Sequence, residues 1–194
     1  MDFCQLLAER ERRWNTRLSL AGLYNCPVLS LTLNIPGPDK NLPGADAALC
    51  WLRAALCVAV DGAGGKVVDE VRLSGPDGLA WLAAVRMDAM ALKALAVAVE
   101  ESHVLGRLAD ADVMDAQGQP LNREHLAALA SADAAARNGG AVQGRAPRQC
   151  FLCSRPASLC RREGRHSLED LLAAVRQMLG LASENAGQEH TCLP

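Results

Sequence analysis

From residue 3 to 14 the apolar positions repeat at helical spacing, with Leu6 and Leu7 near Arg10 and Trp14 on that repeat, which predicts an amphipathic opening helix with a charged outer face, lying as a lid on the domain. The period then changes to two. Residues 27–35, PVLSLTLNI, alternate apolar with small polar side chains and stop at Pro36, predicting a first strand. Residues 45–60, ADAALCWLRAALCVAV, are strong helix formers with Arg53 as the interior charge, and predict a largely buried helix ended by Gly62, Gly64 and Gly65. KVVDEVRLS and LAWLAAVR flank Gly75-Pro76-Asp77-Gly78, a turn sequence, and predict a hairpin. Asp88 can cap a helix reaching about residue 101, and RLADADVMD, before a turn at residues 116–119, predicts a fourth strand.

The order βαββαβ places the chain in the α+β class, in the split ferredoxin-like or palm-like arrangement that RNA-binding modules and polymerase palms also use. Ala- and Gly-rich residues 127–147 predict a flexible linker after a domain at 1–126. A Cys/His knuckle and C-terminal helix follow at 148–180, the helix opened by Ser167 and Asp170 in a capping arrangement and carried to Gly180, with a tail at 181–194.

With 50% hydrophobic and 22% charged residues over 194 positions, the chain can bury a core, which excludes a disordered protein. Three Trp, one Tyr and two Phe leave little for base-stacking platforms, and a formal net charge of −2 gives no long-range attraction to polyanions, so no nucleic-acid partner is expected. Glu9 and Glu11 interrupt the N-terminal pattern, and nothing has the apolar length of a membrane span, so neither export nor a membrane partner is expected. Eight cysteines, three of them clustered, fit a reducing cytoplasm better than a secreted disulfide scaffold.

Asp110 and Asp112 stand two apart in a predicted strand, so both carboxylates leave one face and can share a hard divalent cation such as Mg2+. Glu100, His103 and Arg107 surround them in sequence as a polar cluster, and His103 could orient a phosphate or act as a general base. The loop Pro36-Gly37-Pro38-Asp39-Lys40, between a strand and a helix, offers Gly37 and Lys40 to phosphates, although no Walker pattern is present. Cys150, Cys153, Cys160 and His166 supply three sulfurs and one imidazole within 17 residues, a set for a closed tetrahedral structural Zn2+. Arg145, Arg148, Arg155, Arg161, Arg162 and Arg165 around it suit an acidic partner. Plainer readings stand beside each: solvated aspartates at a strand edge, a histidine closing the helix-to-strand connection, a stiff turn, free thiols, and a surface rich in Arg because 17 of 20 basic residues are Arg.

GRLADADV, together with IPGPDK, SGPDG and the cysteine-rich segment, resembles the apo-citrate lyase phosphoribosyl-dephospho-CoA transferases, also called holo-citrate-lyase acyl-carrier-protein synthases, over about residues 20–180. The resemblance implies a nucleotidyltransferase-like domain that moves the prosthetic group of triphosphoribosyl-dephospho-CoA onto a serine of the apo acyl carrier protein, the γ subunit of citrate lyase, releasing pyrophosphate. It implies Mg2+ on Asp110 and Asp112, phosphate contacts from Arg107, Lys40 and Lys93, and Glu100 or His103 orienting or deprotonating the serine. Val104 stands where the family commonly has proline and Ala109 where a bulky aromatic is typical. Three other readings remain: the same transfer to the malonate decarboxylase carrier protein, a redox or metal-sensing protein in which the cysteines are the functional groups, and a non-enzymatic nucleic-acid-binding module with a zinc knuckle. The last needs exposed aromatics on the central strands, where Trp81 is the one available.

Overall fold

The computed structural model describes residues 3–122, 126 and 148–186. Helix α1 (Phe3–Tyr24) leads into β1 (Val28–Leu33), α2 (Ala45–Gly62), the hairpin β2 (Lys66–Gly75) and β3 (Gly78–Arg86), α3 (Ala89–Ser102), β4 (Ala109–Met114) and β5 (Pro120–Leu121). Two C-terminal helices follow, α4 (Ala157–Arg162) and α5 (Leu168–Ala186). The strands form one antiparallel sheet in the order β2-β3-β1-β4-β5. Strand β5 goes beyond the four expected; two residues are too few to carry an alternation, and the turn at Asp115–Gln119, tied by Asp115 N to Gln119 O at 2.9 Å, brings them against β4. Among the described residues no helix is long and apolar enough to cross a membrane.

Period two divides the sheet between two cores. Leu29 and Leu31 of β1, Trp81, Ala83 and Val85 of β3, and Ala109, Ala111 and Val113 of β4 face α2, α3 and α5. Val28, Ala80, Leu82 and Ala84 face the other way, against Leu20 and Ala21 of α1. A bulge between Val67 and Asp69 flips β2, sending Leu73 to the α1 side and Glu70 to the α2 side. Glu70 there accepts from Trp81 Nε1 at 2.8 Å and from Arg53 Nε at 3.1 Å. Trp81 is 2% exposed, so it is core and offers no stacking surface to a base.

Asp88 caps α3, its Oδ1 accepting from Met90 N at 3.0 Å and Ala91 N at 2.8 Å, as expected. Ser167 Oγ accepts from Asp170 N at 3.0 Å and opens α5. That helix continues past Gly180 to Ala186, because burying Val175, Leu179 and Ala182 outweighs the roughly 1 kcal/mol that a helical glycine costs. Gly44 lets α5 approach: its φ is +84°, and a Cβ there would lie 2.7 Å from the Leu179 carbonyl oxygen. Helix α1 is longer than its periodicity suggested, and the 127–147 linker and most of the 181–194 tail lie outside the described residues, which resume at 148 and end at 186.

Candidate active site

Asp110 and Asp112 alternate with buried Ala109, Ala111 and Val113, so both carboxylates leave β4 on the α1 side of the sheet. The register sets Thr32 opposite Asp110 and Ser30 opposite Asp112. These four residues make a polar block on a face whose neighbours on β3, Ala80 and Leu82, are apolar. Ser30 is only 5% exposed.

Helix α1 closes over this block. Residues 10, 13, 14, 17 and 21 share one helical face. Its C-terminal part, Leu20 and Ala21, is anchored in the core, and the same stripe continues toward the N-terminus as Arg17, Trp14, Arg13 and Arg10. These four line a cavity of about 360 Å³ together with Ser30, Thr32, Lys40, Asp77 and the two aspartates. The charges of α1 therefore divide: Arg13 and Arg17 turn inward, against the expectation of an outward charged face, while Arg10 stays exposed at the cavity rim. The hairpin turn braces the arrangement, with Asp77 Oδ2 3.2 Å from Arg10 Nε and 3.3 Å from Arg13 Nη1. Glu9 packs on Gly75, where any Cβ would lie 2.7 Å from its Cδ.

A second cavity of about 520 Å³ lies on the β5 side of β4, lined by Arg17, Lys93, Pro120, Leu121, Asn122 and Arg148 with Asp110 and Asp112. The two cavities share Arg17, Asp110 and Asp112. The aspartate pair thus stands at a junction, with β1 on one side of β4 and β5 on the other.

Strand β5 pairs only with Val113 and Met114, and farther along β4 side chains from α3 satisfy the edge. Lys93 Nζ donates to the Ala111 carbonyl at 2.9 Å, and the Ala111 amide donates to Glu100 Oε1 at 2.8 Å. Glu100, 7% exposed, also receives Arg148 Nη2 at 2.6 Å, while Arg148 Nη1 reaches Asp110 Oδ1 at 2.9 Å. Burial works against the Arg148 charge, but Glu100 and Asp110 outweigh it and its pKa rises. Burial and then the Asp110 charge push the Asp112 pKa up, while Lys93 at 3.9 Å, Arg17 and Arg148 pull it down. Burial also lowers the pKa of Arg13, Arg17 and Lys40. Two like charges held side by side, one disfavoured by its surroundings, form an arrangement that a divalent cation would relieve.

The other expected residues divide between this site and its surroundings. Lys40 lines the first cavity and donates from Nζ to the Ile35 carbonyl. Gly37, at φ +82°, backs onto the Leu168 side chain of α5. Arg107 sits 6.0 Å above the Phe151 ring and lines neither cavity. His103 meets Trp51 edge-on at 5.1 Å, and its Nδ1 accepts from Leu105 N at 3.0 Å within the α3–β4 connection. Gly106 permits that tight return, since a Cβ there would be 2.3 Å from the Glu100 carbonyl oxygen.

Beyond Arg148 the chain makes a narrow turn, with Cys150 N donating to Arg155 O and Ala157 N to Arg148 O, both at 2.8 Å. The turn, α4 and the following loop bring together Cys150, Cys153, Cys160 and His166, with ligand atoms within 4.8 Å of one another, a set that could hold a metal ion. Cys153 Sγ lies 3.5 Å from both Cys160 Sγ and His166 Nε2. Desolvation, then contact with Cys153 and Cys150, pushes the Cys160 thiol up to about 11. Of the basic cluster, Arg148 turns into the site and Arg155 pairs with Glu163 at 2.7 Å, while Arg161, Arg162 and Arg165 are exposed.

Arg13, Arg17, Ser30 and Thr32 were not singled out from the sequence, and Arg148 appeared there only as one of a basic group. The 3–4 spacing of Arg10, Arg13 and Arg17 was the available signal.

The family model described as apo-citrate lyase phosphoribosyl-dephospho-CoA transferase matches residues 1–132 and 135–181, spanning α1, the aspartate strand and the Cys/His cluster. The chain belongs to that family. Relatives named apo-citrate lyase phosphoribosyl-dephospho-CoA transferase include one from Citrobacter koseri, 28% identical over 90% of this chain and 86% of its own length. One from Shigella flexneri is 29% identical with the same coverage. A protein from Streptococcus pyogenes, named a probable enzyme of this kind, is 30% identical over 92% of this chain and 85% of its own length. This member of the transferase family carries both aspartates and all four Cys/His residues inside the matched segments.

Proposed function

We propose that this enzyme transfers the 2'-(5''-triphosphoribosyl)-3'-dephospho-CoA prosthetic group to a serine of the apo acyl carrier protein of citrate lyase, releasing pyrophosphate. The observation that carries the reading is the placement of Asp110 and Asp112 at the junction of two cavities, one on each side of β4. In-line displacement at phosphorus needs the nucleophile and the leaving group on opposite sides of the transferred phosphate. The serine oxygen forms the new bond to the phosphorus next to the ribose. The bond from that phosphorus to the bridging oxygen breaks, its electron pair leaves with pyrophosphate, and the hydroxyl proton passes to water.

Asp110 and Asp112 would hold Mg2+, whose chemistry is to neutralise charge on the transferred and departing phosphates. Lys40, which lines one cavity, and Lys93, which lines the other, would supply positive charge toward the phosphate oxygens. We assign Glu100 a positioning role, since its carboxylate holds Arg148 beside Asp110, and His103 a role in closing the connection that leads into β4. Arg107 lies outside both cavities and is left out of the phosphate set. The Cys150, Cys153, Cys160 and His166 set suits Zn2+, and four protein ligands leave no open position, so the ion would be structural. Arg148 lies two residues before Cys150, so a metal there would hold this arginine against Asp110. We read the βαββαβ core as a palm-like nucleotidyltransferase sheet acting in the cytoplasm, which suits thiols kept free at the cluster.

Incubation with Mg2+, triphosphoribosyl-dephospho-CoA and apo carrier protein should raise the carrier's intact mass by the prosthetic group and release pyrophosphate. An unchanged carrier would defeat the reading, and modification of the malonate decarboxylase carrier instead would correct the acceptor.

A further inference from the structure

We propose that the cavity between α1 and β1 is a polyphosphate subsite in which Arg13 and Arg17 grip the leaving pyrophosphate, while the carrier serine approaches through the cavity beside Arg148. The proposal rests on the reaction proposed above and assigns its two sides.

The Nε groups of Arg13 and Arg17 are shut off from solvent and have no hydrogen-bond acceptor among the described residues. A buried donor left without an acceptor is destabilising, more so when charged, and two such donors stand on one cavity wall. Both guanidinium groups are held in place by their surroundings. Arg13 donates from Nη2 to the Asp77 carbonyl at 2.7 Å, and Arg17 stacks 5.5 Å above the Trp14 ring. The groups are therefore preorganised with donors still to be satisfied.

The charge around them identifies what would satisfy them. Arg10, Arg13, Arg17 and Lys40 line this cavity, and besides the paired aspartates of β4 they face Asp77 and Glu9, the latter 3.9 Å from Arg13 Nε and beyond hydrogen-bond reach. Guanidinium forks match phosphate oxygens in geometry as well as in charge. Arg17 also lines the second cavity, so it can touch the transferred phosphate and the departing one together. The second cavity carries Val113, Pro120 and Leu121 beside Arg148, a mixed apolar and polar wall that suits a serine-bearing loop of the carrier.

Titration calorimetry of the full-length protein with inorganic pyrophosphate and Mg2+ tests the assignment. Arg13→Gln and Arg17→Gln should each weaken pyrophosphate binding tenfold or more and leave binding of dephospho-CoA, which lacks the triphosphate, within twofold. Arg17→Lys should fall between, keeping the charge and losing the fork. Should a Gln variant fail to fold, as judged by thermal unfolding, the Lys variants at positions 13 and 17 give the same comparison. Folded variants that bind pyrophosphate like the wild type would overturn the subsite, even where the wild type modifies its carrier. Arginine-dependent pyrophosphate binding by a protein that modifies no carrier would support the subsite and defeat the reaction reading instead.

Discussion

Replacing Arg148 by Met keeps most of the aliphatic stem and removes one charge that contacts both Glu100 and Asp110. Glu100 would be left as a carboxylate whose side chain is 4% exposed, keeping the Ala111 amide but losing the charge of Arg148. Breaking a fully buried ion pair from one side costs about 3–5 kcal/mol. Arg148 is itself 36% exposed, so water can reach the vacated position, and about 2 kcal/mol is the better expectation. For a chain of this length that corresponds to a fall in Tm of roughly 4–8 °C. Glu100→Gln removes the charge that Arg148 compensates, so the double variant should recover about 1–2 kcal/mol relative to the sum of the singles. Transfer should behave differently: without a cation beside Asp110, Arg148→Met and the double variant should both lose about 10²-fold in kcat. Thermal unfolding and carrier modification, measured on the wild type, both singles and the double, give the full cycle. Additive stabilities would refute the coupling, and an active double variant would refute the role of Arg148 at the site.

Chelation of the zinc proposed for the Cys150, Cys153, Cys160 and His166 cluster should lower both Tm and transfer, because Arg148 lies two residues before Cys150; a protein purified without stoichiometric zinc and fully active would contradict this. Asp112→Asn should abolish transfer without lowering the metal-free Tm at pH 7. The folded-state pKa of Asp112 is raised, by burial first, so the folded chain binds that proton more tightly and loses the associated stability as pH rises from the unfolded carboxylate range through the folded value. A lower Tm for this variant in metal-free buffer would count against that sign. Gly44→Ala should cost more than about 2 kcal/mol in chemical denaturation, since φ +84° and the Leu179 carbonyl both oppose a Cβ, and an unchanged midpoint would show that α5 docks otherwise. His103→Ala should lower stability by about 1–2 kcal/mol and leave kcat within a few-fold, and a loss beyond 10²-fold in a folded variant would return His103 to the chemistry.

Local pattern carried most of the element order. The alternation in VLSLTL, the Gly75–Gly78 turn, the Asp88 cap and the helical run after Ser167 each correspond to an observed element, because each rests on contacts within a few residues. The aspartate pair and the Cys/His set were visible because their spacing is itself the signal. Strand β5 was not, since two residues have no period and depend on β4 for their pairing. The inward turn of Arg13 and Arg17 was also hidden: a helical charge stripe looks the same whether it faces water or a cavity, and what decides is Leu20 and Ala21 docking on Val28 and Leu82. The contacts of Arg148 with Glu100 and Asp110 join positions 48 and 38 residues apart, and the opposition of Ser30 and Thr32 to the aspartates needs the β1–β4 register. These are properties of tertiary placement, which no local pattern encodes.

The most direct measurement is the intact mass of apo citrate lyase acyl carrier protein after incubation with this enzyme, Mg2+ and triphosphoribosyl-dephospho-CoA. A mass gain equal to the prosthetic group, matched by pyrophosphate release and lost in a folded Asp110→Asn variant, is the expected result. A carrier of unchanged mass with the wild type, or full modification by Asp110→Asn, would contradict the assignment of chemistry to this aspartate pair.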